Sequence, residues 1–298
     1  MKRKSIEKFG KIIISMFLCM FLIPICPIYA LEDENMLNSI PNTEQHYETS
    51  EYGAILAKLK SIESQQIARK KYNSNELRNI FQERENYHNY IYELKEKTTD
   101  ELLEMNFNNT QINAIKNFDG SDEKALLASA YVSATLKLTK FNYTSSTNRT
   151  NASATFSGKW VGTPLYKMQD TTAIGMIGSL SRFVKQSSSN AITHADGSVV
   201  RNTKSEYHSS AGQSYKFGIA NINGKIIKSF TMTYTAAADG KNTLMDYGAV
   251  YAHFKETFSP TGVSVGVSGS GASIGISFTI KYSHDLEWKH IYPQSSYI

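Results

Sequence analysis

Three short stretches hold residue types that elsewhere do chemistry, and backbone geometry accounts for each. Gly271-Ala272-Ser273-Ile274-Gly275 satisfies the G-x-S-x-G pattern. That pattern yields a nucleophile only where a strained strand-to-helix turn exposes the serine. Ser273 falls inside an alternating strand pattern with no helix after it, so it reads as a strand residue. His194 with Asp196, and His284 with Asp285, set an imidazole near a carboxylate, as a general base requires. Asp196-Gly197 is a tight-turn dipeptide, however, and a histidine beside such an aspartate reads as part of the turn. Residues 119–123, Asp-Gly-Ser-Asp-Glu, gather carboxylates but lack the alternate spacing and distal glutamate of a calcium loop. They read as a helix stop followed by an N-cap at Ser121.

Wider constellations are equally sparse. The seven histidines form no H-x-x-x-H or H-x-H pair. From residue 131 onward the acids are Asp170, Asp196, Glu206, Asp239, Asp246, Glu256, Asp285 and Glu287. A carboxylate pair drawn from distant strands could serve a hydrolase, but Asp196, Asp239 and Asp246 sit at turns. No glycine-rich loop joins a strand to a helix, so no nucleotide cradle is visible. The basic residues do not interleave with aromatics as a nucleic-acid surface would. The expectation is a non-catalytic chain with no cofactor, no metal site and no nucleic-acid partner.

The most ordered pattern is at residues 261–282. Val263, Val265 and Val267 alternate with Ser264, Gly266 and Ser268; Ile274, Ile276, Phe278 and Ile280 alternate with Ser273, Gly275, Ser277 and Thr279. A period of two places the bulky residues on one face of a strand and the small polar ones on the other. Gly269-Ser270-Gly271 marks the reversal. The reading is a β-hairpin with one apolar and one hydroxyl-lined face, whose apolar face meets either a protein core or a lipid.

The N-terminus sets the compartment. Lys2, Arg3, Lys4, Lys8 and Lys11 precede an apolar run from Ile12 to Tyr29, and Ile28-Tyr29-Ala30 suits signal cleavage after Ala30. Both cysteines, Cys19 and Cys26, lie in this segment. The mature chain therefore has no thiol for disulfides or zinc, a usage that fits a Gram-positive bacterium. No sorting motif with an apolar tail ends the chain, so the product is expected outside the cell, free or held non-covalently at the surface. Without the signal the net charge is +1, divided unevenly: residues 31–130 carry −7 and residues 131–298 carry +8.

The elements that must position these residues follow from periodicity. Residues 31–50 are polar and aperiodic, the pattern of a disordered leader. Ile55, Leu56, Leu59 and Ile62 recur at helical spacing, as do Leu77, Ile80, Phe81, Tyr87, Ile91 and Leu94. Thr98 with Glu101 forms a capping box, and Thr110 can cap a further helix ended by Asp119-Gly120. The helical stretch 51–129 is expected to pack on the chain's own sheet. From residue 130 the composition turns to Thr, Ser, Gly, Tyr and Phe, with strand-like runs and candidate two-residue hairpin turns at Asp196-Gly197, Asn223-Gly224 and Asp239-Gly240. The predicted fold is α+β: a small N-terminal helical region, then a mainly antiparallel β-sandwich or barrel-like domain over 130–298.

Two functions fit. One is a secreted non-catalytic β-protein that binds an anionic cell-envelope polymer or membrane surface through its basic β-region. The other is a pore-forming or membrane-perturbing toxin that inserts the 261–282 hairpin.

Overall fold

A computed structural model describes residues 44–69, 74–167, 169–178, 183–201, 205–209, 212–221, 223–254, 262–268, 275–281 and 286–297. The signal segment, Ala30 and residues 31–43 lie outside them, as do Gly271–Ile274, His284 and Asp285. Residues 36–298 form one compact unit.

The fold is α+β with a sandwich-like pair of antiparallel sheets. β1 (Glu44–Ser50) runs straight into α1 (Glu51–Arg69). Then come α2 (Ser74–Lys95), α3 (Thr99–Glu104), α4 (Asn109–Lys116) and α5 (Asp122–Ala128). Ten strands follow up to β11: β2 (Tyr131–Thr144), β3 (Arg149–Val161), β4 (Gln169–Gly178), β5 (Val184–His194), β6 (Val199–Arg201), β7 (Ser205–Ser209), β8 (Gly212–Gly218), β9 (Ile227–Asp239), β10 (Leu244–Phe254) and β11 (Gly262–Ser268). β12 (Gly275–Lys281) and β13 (Leu286–Tyr297) complete the chain's strands. One sheet has the order β1-β2-β3-β9-β5-β6 and the other β13-β10-β4-β8-β7; β11 and β12 pair only with each other.

Residues 44–50 correct the expectation of a disordered leader. They pair with β2, Glu44 opposite Lys137 and Ser50 opposite Tyr131. Lys137 Nζ donates to Glu44 at 3.0 Å, and Tyr47 packs against the sandwich core. β2 and β3 alternate buried and less buried residues along their length, the mark of sheets covered mainly on one face. Leu136, Phe156, Trp160, Phe230, Tyr234 and Tyr251 are among the side chains that fill the space between the sheets.

The helices form a second core of their own, with Tyr52, Ile55, Tyr87, Ile91, Leu102, Ile115 and Phe118, and α1 also packs on the sandwich, where Ala54 lies against its core. Polar bonds join it to the sandwich: Asn106 Nδ2 donates to Trp160 O at 2.6 Å, Tyr90 Oη to Thr163 O at 2.8 Å and Thr163 Oγ1 to Met105 O at 2.7 Å. Thr98 and Glu101 form the expected capping box. The next cap is Asn108, not Thr110: its side chain accepts from Gln111 N while Gln111 reaches back to Asn108 N, both at 2.9 Å. Ser121 stands at the N-cap of α5, but its side chain makes no capping bond.

Asp196-Gly197 joins paired strands, β5 and β6, and Asn223-Gly224 sits in a short antiparallel reversal in which Ala220 bridges Ile226, on the way from β8 to β9 in the other sheet. Asp239-Gly240 instead carries the chain from β9 in one sheet to β10 in the other.

Gly162 leaves β3 at φ +80°, and its N–H donates to Asn106 O at 2.7 Å. A Cβ there would lie 2.7 Å from the Phe107 ring. Gly162→Ala is therefore expected to lower stability by about 1–3 kcal/mol, read as a shifted denaturation midpoint with an unchanged slope.

Candidate functional site

The hairpin anticipated at 261–282 exists as a ribbon. Its register sets Val263 opposite Ile280, Val265 opposite Phe278 and Val267 opposite Ile276, with Ser264 opposite Thr279, Gly266 opposite Ser277 and Ser268 opposite Gly275. Residues directly opposite in an antiparallel pair share a face. The apolar positions of both strands therefore fall on one face and the small polar positions on the other. Ile274 lies outside the described residues.

The ribbon's place in the chain is unusual. β10 and β13 are antiparallel neighbours, with Phe254 opposite Leu286 and Leu244 opposite Tyr297. The excursion 255–285 is thus an insertion at the tip of a strand pair that is already closed. Among the described residues, the ribbon shares no ladder with either sheet. Its neighbours are β4, β7, β8, β10 and β13, so it lies over the five-stranded sheet.

Register also identifies the face it covers. Thr172, Ile174, Met176, Tyr247 and Tyr251 lie on the side of β4 and β10 that meets the six-stranded sheet; Met176 and Tyr251, for instance, join the core there. The opposite side carries Thr171, Ala173 and Gly175 on β4, Gly212 and Ser214 on β8, and Gly248, Val250 and Ala252 on β10. These residues lie away from the sandwich core, yet they too are buried. The seat is therefore small-sided. Thr171 Oγ1 and Ser214 Oγ are enclosed there with no hydrogen-bond partner among the described residues.

At the root of the ribbon is a charge cluster that periodicity did not reveal. Glu51 opens α1, Asp170 lies near the start of β4, and His253 is one residue from the end of β10; all three are fully buried. His253 Nδ1 lies 2.8 Å from Asp170 Oδ1 and Nε2 lies 3.2 Å from Glu51 Oε1. Tyr251 Oη donates to Asp170 Oδ2, and Trp160 Nε1 donates to Tyr251 Oη at 3.0 Å. Leu165 N and Tyr166 N donate to the two Glu51 oxygens at 2.9 and 3.1 Å. Burial alone would push the His253 pKa down. The Asp170 charge, and then the hydrogen bonds to Asp170 and Glu51, outweigh burial and carry it up to about 10. The imidazole is thus an imidazolium that donates to both carboxylates. Buried as they are, these groups hold five segments together. The sequence signal was Tyr251 and His253 at strand spacing; nothing local linked them to residues 51 and 170.

The sites weighed from sequence resolve as follows. Asp196 accepts from Ser198 Oγ at 2.6 Å and from Ser198 N at 2.9 Å, and Asn221 Nδ2 donates to it at 2.8 Å. These contacts, the Ser198 hydroxyl foremost, hold its pKa down to about 2. His194 instead meets Ser198 Oγ at 3.4 Å. The carboxylate thus binds the hydroxyl rather than the imidazole, which is a turn and not a relay. Among the described residues no group of three metal-ligating side chains occurs. A partly exposed cluster ties α1, α2 and α5: Arg84 Nε donates to Asp122 at 2.7 Å, and Tyr52 Oη meets both Asp122 and His88. An open cleft of about 320 Å³ lies beside α3, with Lys97, Lys167, Lys225, Glu101 and Glu104 in its lining.

No protein-family model matches the chain, and no curated protein matches it. Among solved structures it is similar to one described as a pore forming protein (TM-score 0.27, 11% identity, 56% of this chain and 86% of that one). It is also similar to Clostridium perfringens delta-toxin (TM-score 0.25, 7% identity, 56% and 84%) and to a structure of Fap1 fimbriae, an adhesion system of Streptococcus parasanguinis (TM-score 0.21, 14% identity, 56% and 78%). Likenesses this slight carry no weight for function. The chain is a β-rich protein. Among the described residues no helix is long and apolar enough to cross a membrane, which says nothing of strands.

The raised His253 pKa fixes the sign of one pH effect. The imidazolium's contribution to stability is fully present below about pH 6.5, its ordinary value, and is lost as pH rises through about 10. Thermal unfolding is expected to shift to lower temperature across that interval, and His253→Gln is expected to flatten the slope. Asp170→Ala, which strands the buried cation, is expected to cost about 3–5 kcal/mol in chemical denaturation.

Proposed function

We propose that this is a secreted, non-catalytic protein that perturbs membranes by releasing the 255–285 excursion from its seat and inserting it as a β-hairpin. The observation that carries the proposal is topological: the ribbon is inserted at the tip of the paired strands β10 and β13 and, among the described residues, shares no ladder with either sheet. Its departure would break no ladder that those residues form. The seat is mostly Gly, Ala, Ser and Thr, with Val250 among them; a buried Val, Leu, Ile or Phe is worth about 1.5–3 kcal/mol, so most seat positions add little apolar area of their own.

The alternation suits a bilayer, since a membrane strand presents apolar residues to lipid and polar ones to a lumen. Each arm is seven residues long, against about 9–11 for a spanning strand, so the flanks at 255–261 and 282–285 supply the rest. A single two-stranded ribbon would leave unpaired backbone groups in lipid. The inserted state is therefore an assembly of several copies whose ribbons close on one another.

A second reading, a binder of an anionic envelope polymer, is favoured by the cleft beside α3, whose lining holds three lysines, Lys97, Lys167 and Lys225, against two acids, Glu101 and Glu104. Burial lowers the Lys167 pKa, and the neighbouring Lys97 adds to the effect.

Dye release from anionic and neutral liposomes by residues 31–298 separates the two readings. The membrane reading expects release from liposomes. That release should disappear, with the fold retained, when 257–283 is replaced by a short Gly-Ser turn or when Val265→Asp and Ile276→Asp are combined. Salt-sensitive co-sedimentation without release would favour the binder. If the paired aspartates unfold the whole protein, the ribbon's apolar face is structural core and the membrane reading fails.

A further inference from the structure

The cleft beside α3 gathers cations that the rest of the chain leaves uncommitted. Lys97 comes from the link between α2 and α3, Lys167 from the link between β3 and β4, and Lys225 from the reversal between β8 and β9. Other lysines are spent on protein groups. Lys95 Nζ donates to Phe118 O and Lys116 Nζ to Lys95 O, both at 2.8 Å, while Lys124 and Lys137 pair with Asp119 and Glu44. Among the described residues, the ammonium groups of Lys97, Lys167 and Lys225 make no hydrogen bond and no ion pair.

The backbone beneath each of the three is nevertheless fixed. Lys97 N donates to Leu94 O at 3.1 Å, and the Lys97 carbonyl accepts from Lys116 Nζ. Leu165 and Tyr166, just ahead of Lys167, donate their N–H groups to Glu51. Asn223 N and Lys225 N both donate to Asn221 Oδ1 at 2.9 Å, which ties down the reversal. Three cations on three anchored segments thus line one open cleft of about 320 Å³. The acids in the lining are Glu101 and Glu104. Glu101 is already used: it accepts from Thr98 N at 2.6 Å in the capping box, and that bond foremost holds its pKa down.

We propose that this cleft is a site for a phosphodiester group held by Lys97, Lys167 and Lys225. The proposal deepens the reading of the cleft as a binder of anionic polymer and rests on it. A lysine binds phosphate as a point charge and needs no fixed fork of donors. Ammonium groups arriving from three segments suit a tetrahedral group, with oxygens on several sides, better than a planar carboxylate with two. Charge selects the diester. Three cations against two carboxylates leave +1, which a phosphodiester monoanion cancels. A phosphate monoester, with a charge of about −1.5 to −2, would leave excess negative charge beside Glu101 and Glu104. Size agrees, since 320 Å³ is near the lower end of ligand pockets, about 300–1,000 Å³, and admits one small phosphodiester unit at a time.

Calorimetric titration of residues 31–298 with glycerophosphoglycerol, a soluble phosphodiester, tests the site at low salt. Binding is expected, and Lys97→Gln, Lys167→Gln and Lys225→Gln are each expected to weaken it about tenfold. Lys140→Gln, at an exposed position of β2, should leave it unchanged. The denaturation midpoint should hold in every variant, because these ammonium groups bond to no described residue, so lost binding is loss of the site and not of the fold. No binding of the probe, equally tight binding of sulfate, or binding indifferent to all three substitutions would overturn the proposal. Co-sedimentation with phosphatidylglycerol vesicles and with a glycerol phosphate polymer then identifies the source. Vesicle binding lost in the triple variant assigns the group to a lipid headgroup; polymer binding lost in it, without vesicle binding, assigns it to the polymer unit. Salt-sensitive polymer binding that survives in the triple variant would sink the cleft site and leave the binder reading standing. Probe binding with neither polymer nor vesicle binding would do the reverse.

Discussion

A buried imidazolium between two buried carboxylates is the constraint on which the interior depends. Removing three charges from water costs several kcal/mol per ion even after relaxation, so the group survives only if every lone pair and proton is met. Here Asp170 takes His253 and Tyr251, while Glu51 takes His253 and two backbone N–H groups. Those donors come from β10 and the loop after β3, and Trp160 of β3 in turn supports Tyr251. The start of α1, the end of β3, the start of β4 and the end of β10 are therefore fixed by one electrostatic requirement. The helical core also meets the sandwich through hydrogen bonds of Tyr90 and Asn106 and through Ala54 of α1, which packs against the sandwich core.

Topology follows from the way strands close. β10 and β13 would form a long hairpin if the chain between them were short, and β13 then takes the edge of the five-stranded sheet. Pro293 fits that edge position, since a proline has no N–H to give to a further strand. The ribbon of β11 and β12 lies on the outer face of the sheet, and this explains why β4 and β10 are buried on both faces while β2 and β3 alternate.

The sequence was most legible where one residue determines its own neighbourhood. Alternation at Val263 to Ile280 located the ribbon, and Thr98 with Glu101 located a helix start, because both signals act within a few residues. Thr110 was a cap-type residue two positions beyond the true cap at Asn108, and only the reciprocal bond with Gln111 decides between them. Asn223-Gly224 and Asp239-Gly240 correctly marked turns, but a dipeptide does not specify whether the next strand stays in its sheet or changes to the other. β1 was hidden by its polar composition, since an edge strand needs only its partner's ladder and an anchor such as Tyr47. The Glu51–His253–Asp170 cluster was the least legible. Its members are separated by 202 and 83 positions from His253, and no local pattern records a contact of that range.

The seated ribbon is held by a balance that its own chemistry leaves unfinished. A lone two-stranded ribbon is marginal in water, so its stability has to come from what it covers. What it covers is a face mostly of Gly, Ala, Ser and Thr, with Val250 among them, and two enclosed hydroxyls left unpaired among the described residues, each such group costing about 1–3 kcal/mol. A seat with little apolar area and unmet polar atoms restrains a ribbon without committing it. The commitment lies at the root, where the end of β10 is fixed by charges that water would otherwise separate. The end of β10, from which the chain departs toward the ribbon, is held instead by the His253 bonds to Asp170 and Glu51.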